Sequence, residues 1–413
     1  IAIMHTELVD RKKWIGEERF LHALNYCMLL PGPEAQQLAT YTGWLLHGTR
    51  GGLIAGTLFV VPGALVMLAL SLIYVTYGEL ALVEAAFFGI KAAVLAIVAQ
   101  AILRIGRRAL AGRVLVALAV LSFVAIFFFA VPFPALVLAA GAFGWLAARH
   151  RPGLLPVVPG HGDGGVGYAP ARSVVNPWSR AVRILTIGVV LWAVPVLAAG
   201  WWLGAGHVLV QEGVFFSKMA VVTFGGAYAV LSYIGQQAVE TYGWLSASEM
   251  LDGLGLAETT PGPLIMVAQF VGFLAAHRNP GPLDPVVAAT LGAALTTWVT
   301  FVPCFLWIFL GAPHVEALRG NRALTGALTA ITASIVGVVA NLAVWFALHL
   351  WFADLPELWW GPLRVFAPTL ATADLAAIGL SLAALVLVLR FKLGMLTTLA
   401  LSAAAGVVIS VLA

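Results

Sequence analysis

The sequence predicts an all-α polytopic membrane protein of two inverted structural repeats, with about 12–13 transmembrane segments. Three observations carry that expectation. The first is composition: of 413 residues, 62% are hydrophobic and 10% charged, and the mean hydropathy is +0.99. A soluble domain carries about 25% charged residues. The second is that apolar runs near the ~20 residues needed to cross a bilayer recur along the whole length. The ~10-residue alternation of a membrane β-barrel is missing. The third is a phrase that occurs twice. Trp14-Ile15, Phe20-Leu21, Ala23-Leu24 and Pro31-Gly32-Pro33 return, ungapped and 230 residues later, as Trp244-Leu245, Met250-Leu251, Gly253-Leu254 and Pro261-Gly262-Pro263. Proline removes a backbone donor and pushes the residue before it out of the α region, so each Pro-Gly-Pro breaks the helix that enters it.

The elements follow in order. The chain opens at Ile1 with no signal peptide, inside what reads as an element already under way. At the 230-residue offset Ile1 matches Leu231, so a counterpart of Phe224-Gly225-Gly226, and most of a first transmembrane helix, are expected just upstream. Residues 5–19 are the densest charged stretch, with Trp14 as an interface anchor. The first Pro-Gly-Pro segment covers 20–46, and spans follow at 52–76, 80–103, 113–130 and 133–148, with Pro132 and Pro134 dividing the last two. Five prolines and six glycines then make 150–181 a flexible linker between an N-terminal repeat (1–149) and a C-terminal one (182–413). His161 and Asp163 stand alone there, too few for a metal site. Beyond it, spans are expected at 182–203, 212–235, 248–276 (the second Pro-Gly-Pro), 285–311, 323–350, 366–389 and 394–412. Ser246 and Glu249 have capping-box spacing, which marks a helix start.

The extra span at 182–203 sets the topology. If each Pro-Gly-Pro segment crosses once, the two halves are oppositely oriented. Arg104, Arg107, Arg108 and Arg113 then share the cytoplasmic side with Arg149, Arg151, Arg172, Arg180, Arg183, Arg319, Arg322, Arg390 and Lys392, as the positive-inside bias requires. Arg11, Lys12 and Lys13 fall on the other side and dissent.

Broken helices at matched positions of inverted repeats point to the substrate site of a secondary transporter. A helix that stops in mid-membrane leaves unpaired N–H groups and a positive dipole end, donors already aimed at an anion. The plainer reading is a kink or a short re-entrant bend. Lys91 sits deep within its span, and Lys218 two turns before Phe224-Gly225-Gly226; they supply charge at depth or snorkel to the interface. Glu34 and Glu258 flank the breaks and either carry protons or cap helix ends. Asn25, Gln36 and Gln37 surround the first break, and Thr259, Thr260 and Gln269 the second, as oxyanion ligands or as ordinary interhelical hydrogen bonders. Gly225-Gly226 is either close packing or a third break, with packing preferred. Cys27 and Cys304 have no CxxC spacing and read as buried, inert thiols. No phosphate loop, paired Asp motif, His-x-x-x-His or Gly-x-Ser-x-Gly with a partnered His is present, so neither an enzyme nor a cofactor is expected. The net charge of +4 gives no reason to invoke nucleic acid.

With these residues in view, the chain resembles the chromate ion transporter (CHR) family, in its long two-domain ChrA type. The resemblance rests on Trp14 through Pro33 with Glu34-Ala35-Gln36-Gln37, Gly52-Leu53-Ile54-Ala55-Gly56-Thr57, Gly89-Ile90-Lys91-Ala92-Ala93, Phe224-Gly225-Gly226, and Glu258-Thr259-Thr260-Pro261-Gly262-Pro263. It implies efflux of chromate across the bacterial cytoplasmic (inner) membrane, with sulfate as a competing analogue, and an N-terminal Phe-Gly-Gly motif upstream of Ile1. A sulfate carrier or a passive anion channel is the alternative, and a homodimer is left open. A tetrahedral dianion suits a pocket of donors, because leaving water requires several of them plus positive charge.

Overall fold

A computed structural model of the chain describes residues 1–151, 153–155, 177–222, 224, 227–311 and 322–412. His161, Asp163, Arg172, Arg319, Gly225, Gly226 and the side chain of Asn25 lie outside the described residues. The helices are α1 (Ala2–His5), α2 (Glu17–Leu29), α3 (Glu34–Tyr77), α4 (Ala81–Ala109), α5 (Arg113–Phe129), α6 (Phe133–His150) and α7 (Pro177–Leu203). They continue as α8 (Val208–Val222), α9 (Ala227–Gly235), α10 (Ala247–Thr259), α11 (Val267–Arg278), α12 (Pro285–Gly311), α13 (Arg322–Trp351), α14 (Leu375–Leu389) and α15 (Met395–Leu412). Six of these are long and apolar enough to cross a membrane: α3, α4, α7, α12, α13 and α15.

The duplicated phrase folds the same way twice. Thr6–Arg11 and Gln236–Thr241 are both π-helical turns. Each is closed by matching bonds, Lys12 N–H to Glu7 O and Trp14 N–H to Leu8 O against Tyr242 N–H to Gln237 O and Trp244 N–H to Ala238 O. Each ends on a left-handed residue, Lys13 (φ 51°) and Gly243 (φ 61°), a backbone state that terminates helices. The next helix then starts, at Glu17 and at Ala247; the second carries the expected capping box of Ser246 and Glu249.

The Pro-Gly-Pro segments do not cross once each. Arg278, at the end of α11, donates to Trp244 O (3.0 Å) and pairs with Glu249 in the first turn of α10, so both arms start and finish at one end of the bundle. The element is a re-entrant hairpin with Thr260–Pro263 at its tip. Each arm is short: 13 residues of α10 rise about 20 Å, enough to reach mid-bilayer and no further. The first copy turns back in the same manner. Tyr26 of α2 packs against Tyr41 of α3, with ring centres 5.3 Å apart. α3 itself reverses at His47-Gly48, where Gly48 has φ 67° and Gly43 meets Gly51 backbone to backbone. A short limb (34–46) therefore leads into a long crossing limb (49–77). α8 ends at Val222 and α9 starts at Ala227, and Phe215 of α8 meets Tyr233 of α9 (5.3 Å) and Trp244 (5.8 Å), so α8 and α9 lie side by side as a third pair of short arms.

Two further departures are smaller. α7 begins at Pro177, ahead of the expected 182. The span expected at 366–389 begins at 375, because β1 (Glu357–Trp360) and β2 (Leu363–Phe366) form an antiparallel ribbon before it. Arg364 buries its guanidinium there, donating to Phe127 O and Ile126 O at the end of α5 and to Glu240 (3.2 Å).

Candidate functional site

The two Pro-Gly-Pro tips approach the same pair of helices from opposite ends. Gly32 (φ +118°) has no room for a side chain, since a Cβ there would lie 2.7 Å from Cys304 Sγ of α12. Tyr26, a turn back along α2, donates to Trp307 O (3.3 Å), nearer the end of α12. The first hairpin thus enters where α12 ends. The second enters where α12 begins and lies along the long limb of α3. Tyr74 donates to Asp252 at the base of α10 (2.9 Å), and Gly63 packs on Pro261 and Gly262 at the tip.

The rise of a helix gives the depth of each tip. Thr40 of the short limb faces Gly56 of the long limb. Six residues back towards Glu34 is about 9 Å, which brings the first tip level with the residues around Gly63. On α12, Gln269 of α11 bonds Thr297 (3.1 Å). Six residues back towards Pro263 is again about 9 Å, so the second tip is level with the residues around Cys304. Both tips therefore stop at one depth, halfway along the long limb of α3.

At this depth several helices present their N-termini. α3 restarts at Glu34 and the α11 arm at Leu264, each with a proline as N-cap and no side-chain cap. α9 starts at Ala227, and Tyr228 donates to Glu258 (2.8 Å), joining the Phe224 break to the second tip. Free first-turn N–H groups and positive dipole ends converge here, away from water.

The predicted side chains divide by what they do. Gln37 donates to Pro31 O (2.6 Å) and closes the first tip, and Gln36 donates to Thr40 Oγ1 (3.0 Å). Both amides are fully buried, with their oxygens unpartnered. Thr259 and Thr260 spend their hydroxyl protons on Leu256 O (2.8 Å) and Ala257 O (2.9 Å), capping α10. Gln269 is a brace, donating to Ala64 O of α3 while accepting from Thr297 of α12. Phe224 is half-buried. Cys27 and Cys304 are buried free thiols, as expected.

The lysines do not stand at the tips. Lys91 donates to Ser248 (2.6 Å) and lies 3.6 Å from Asp252. It lines a vestibule of about 620 Å³ that also holds Glu84, Glu249, His277 and Arg278. Lys218 lies on the exposed face of α8, opposite the buried Phe215, Phe216 and Met219. Three residues with roles here were not singled out from sequence: Asp252, Tyr74 and Tyr228. Asp252 carried the clearest signal, an acid inside an apolar segment. The span expected at 80–103 runs further, as α4, and carries Arg104 close enough to act electrostatically on Tyr228 and Glu258. For a metal, the described residues offer one group, His5, Asp10 and Glu17, whose ligand atoms lie within 4.8 Å of one another. Glu17 and Asp10 are half-exposed in that ion-paired surface cluster, remote from the tips.

Comparison with known proteins adds the following. A family model described as Chromate transporter matches residues 1–145 and 210–407. A chromate transport protein of Pseudomonas aeruginosa is 32% identical over 355 residues, covering 83% of this chain and 75% of that protein. One from Cupriavidus metallidurans is 28% identical over 344 residues, covering 83% and 76%. A probable chromate transport protein of Synechococcus elongatus is 26% identical over 346 residues, covering 83% and 78%. No solved structure matches.

Proposed function

Because the chain belongs to the chromate transporter family, we propose that it exports chromate from the cytoplasm by alternating access between two inverted repeats. The family's members are transporters, not enzymes. The observation that carries the reading is the shared depth of the two Pro-Gly-Pro tips, each of which begins a helix there with uncapped N–H groups. Donors fixed in place and shielded from water suit a tetrahedral dianion, and a hairpin that rocks from either end opens the site to one side at a time.

In this reading Pro31 to Pro33 and Pro261 to Pro263 frame the site, with Gln36 and Gln37 beside the first tip and Phe224, Thr259, Thr260 and Gln269 at the second. Lys91 supplies positive charge to the passing anion, and Asp252 takes that charge over when the anion is gone. Lys218, on the outer face, sets the seating of α8 in the bilayer. Glu258, held by Tyr228, and Glu34 are the acids nearest the breaks.

Orientation follows from the hairpins. Leu115 of α5, Ala147 of α6 and Ala333 of α13 share one cluster, and Arg180 of α7 donates to Phe309 O of α12. Arg107, Arg108, Arg113, Arg149, Arg151, Arg180 and Arg183 thus collect at one end of the bundle. Because the first hairpin enters from that end, Arg11, Lys12 and Lys13 join them and no longer dissent. The positive-inside bias makes this end cytoplasmic and the Lys91 vestibule outward-facing. An inside-negative potential then drives a dianion outward by roughly 4–5 kcal/mol at 100 mV.

The test is uptake of labelled chromate by everted vesicles, with sulfate as competitor. Saturable uptake with counterflow is expected. Flux that neither saturates nor shows counterflow would point to a channel instead, and a preference for sulfate over chromate would reassign the substrate. Lys91→Gln in an Asp252→Asn background, which strands no buried partner, is expected to abolish chromate resistance at a membrane level close to that of the wild type; full resistance would remove Lys91 from the pathway.

A further inference from the structure

We infer that Glu212 carries a proton through the transport cycle. Glu212 lies on α8, about one turn from its start at Val208. Its side chain is fully buried, and neither carboxyl oxygen has a hydrogen-bond partner. The carboxyl is packed against α12, with Oε2 only 2.9 Å from where a Cβ of Gly292 would stand. The missing side chain at 292 is what leaves the acid room. Thr296, one turn further along α12, also has an unpartnered buried hydroxyl.

The surrounding charges are committed elsewhere or face away. α12 has no acidic or basic residue between Pro285 and Gly311. Asp284, just before it, caps its first turn through Val286 N–H and Val287 N–H. On α11, Arg278 is held by Glu249 and Trp244 O, and His277 stacks on Phe273. His207, at the mouth of α8, contacts Pro280 O (3.3 Å). Lys218 is on the exposed face of α8 itself. α9 offers tyrosines, of which Tyr228 is bound to Glu258, and the arginines of α7 sit at its far end.

A carboxylate is not sustained in such a place without a partner, so the buried state is the protonated acid. Losing the proton requires water, and water reaches the group only if α8 parts from α12. The molecule therefore has a proton-loaded packed state and an ionised open one, and whatever favours one biases the other. α8 is one arm of the third short-armed pair. Its far end leads to Phe224, beside the Tyr228–Glu258 bond and the second tip, so movement of the arm is felt where the helix N-termini converge. Glu212 itself is near the end that carries the Lys91 vestibule; it exchanges its proton with that side when the site opens there, and with the other side, by way of the tips, when the site opens to the cytoplasm. The anion to which this proton is coupled rests on the transport reading above; the protonation of Glu212 does not.

Two measurements test this. Infrared spectra of the purified protein at neutral pH are expected to contain a protonated-carboxyl stretch that Glu212→Gln lacks; identical spectra would overturn the inference. In proteoliposomes with a trapped pH dye, an imposed chromate or sulfate gradient is expected to move protons in the wild type. Glu212→Gln should still exchange labelled anion, with no proton movement and a rate that stays flat across neutral pH. Proton flux surviving in that variant, or missing from a wild type that exchanges anion, would refute the coupling. If the glutamine variant does not reach the membrane, Glu212→Asp should keep the flux with a shifted pH midpoint, and an unshifted midpoint counts against the proposal. Failure of the wild type to exchange either anion would sink the transport reading and leave the infrared result to decide Glu212.

Discussion

Lys91 and Asp252 face each other at 3.6 Å, with side chains 15% and 5% exposed; Lys91 donates to Ser248, and Tyr74 donates to Asp252 Oδ2. Removing one member of a buried pair strands the other, at a cost of about 3–5 kcal/mol. Asp252→Asn should therefore lower the unfolding midpoint in detergent, and Asp252→Asn with Lys91→Gln should recover much of the loss. Equal midpoints for the single and double variants would show that the pair is not coupled. The glycines of the two tips differ in the same concrete way. Gly32 combines a left-handed φ of +118° with Cys304 Sγ in the way of any side chain, whereas a Cβ at Gly262 would meet only the backbone of Gly63 at 3.2 Å. Gly32→Ala is expected to destabilise more than Gly262→Ala, by about 1–2 kcal/mol of backbone strain alone. Comparing their denaturation curves checks it.

At the scale of elements, the re-entrant hairpin replaces the single crossing because Arg278 at the end of α11 meets Trp244 O and Glu249 at the start of α10, which brings the outer ends of the two arms together. The pattern of apolar residues could not separate the two cases. A pair of short arms and one long broken helix have the same hydropathy and the same Pro-Gly-Pro in the middle. Labelling with a membrane-impermeant thiol reagent separates them. Cysteines replacing Thr241 and Asn279 should react from one side of the membrane, and cysteines replacing Lys12 and His47 from the other. Reaction of positions 241 and 279 from opposite sides would restore the single crossing. Cys27 and Cys304 are buried and should stay silent.

At the scale of the whole molecule, the halves exchange their last two helices. α5 and α6 pack on α13 of the second half, while α14 and α15 pack on α4 of the first. Both exchanges run through glycine, with Gly144 against Gly326 and Gly406 against Gly89, where any side chain would strike the facing backbone. Gly89→Val and Gly144→Val should each destabilise by about 1–3 kcal/mol or more through overpacking. A half expressed alone lacks the partner that covers its long helix. The separate halves are expected to be degraded singly and to recover when co-expressed, read from their levels in the membrane.

The sequence by itself determined the all-helical membrane class, the 230-residue duplication, the capping box at Ser246 and the positions of the two breaks. Those are local matters: hydrophobicity over a window, proline geometry and capping chemistry all act within a few residues. Only the tertiary structure decided that the breaks are hairpin tips at one depth, that Arg11 to Lys13 share an end with the other basic loops, that Lys91 is matched by Asp252, 161 residues away, and that Glu212 is buried unpaired. Each of these depends on which arm lies against which helix. Short apolar arms can satisfy their backbone bonds internally in either arrangement, so long-range packing at Gly63, Cys304 and Gly292 makes the choice.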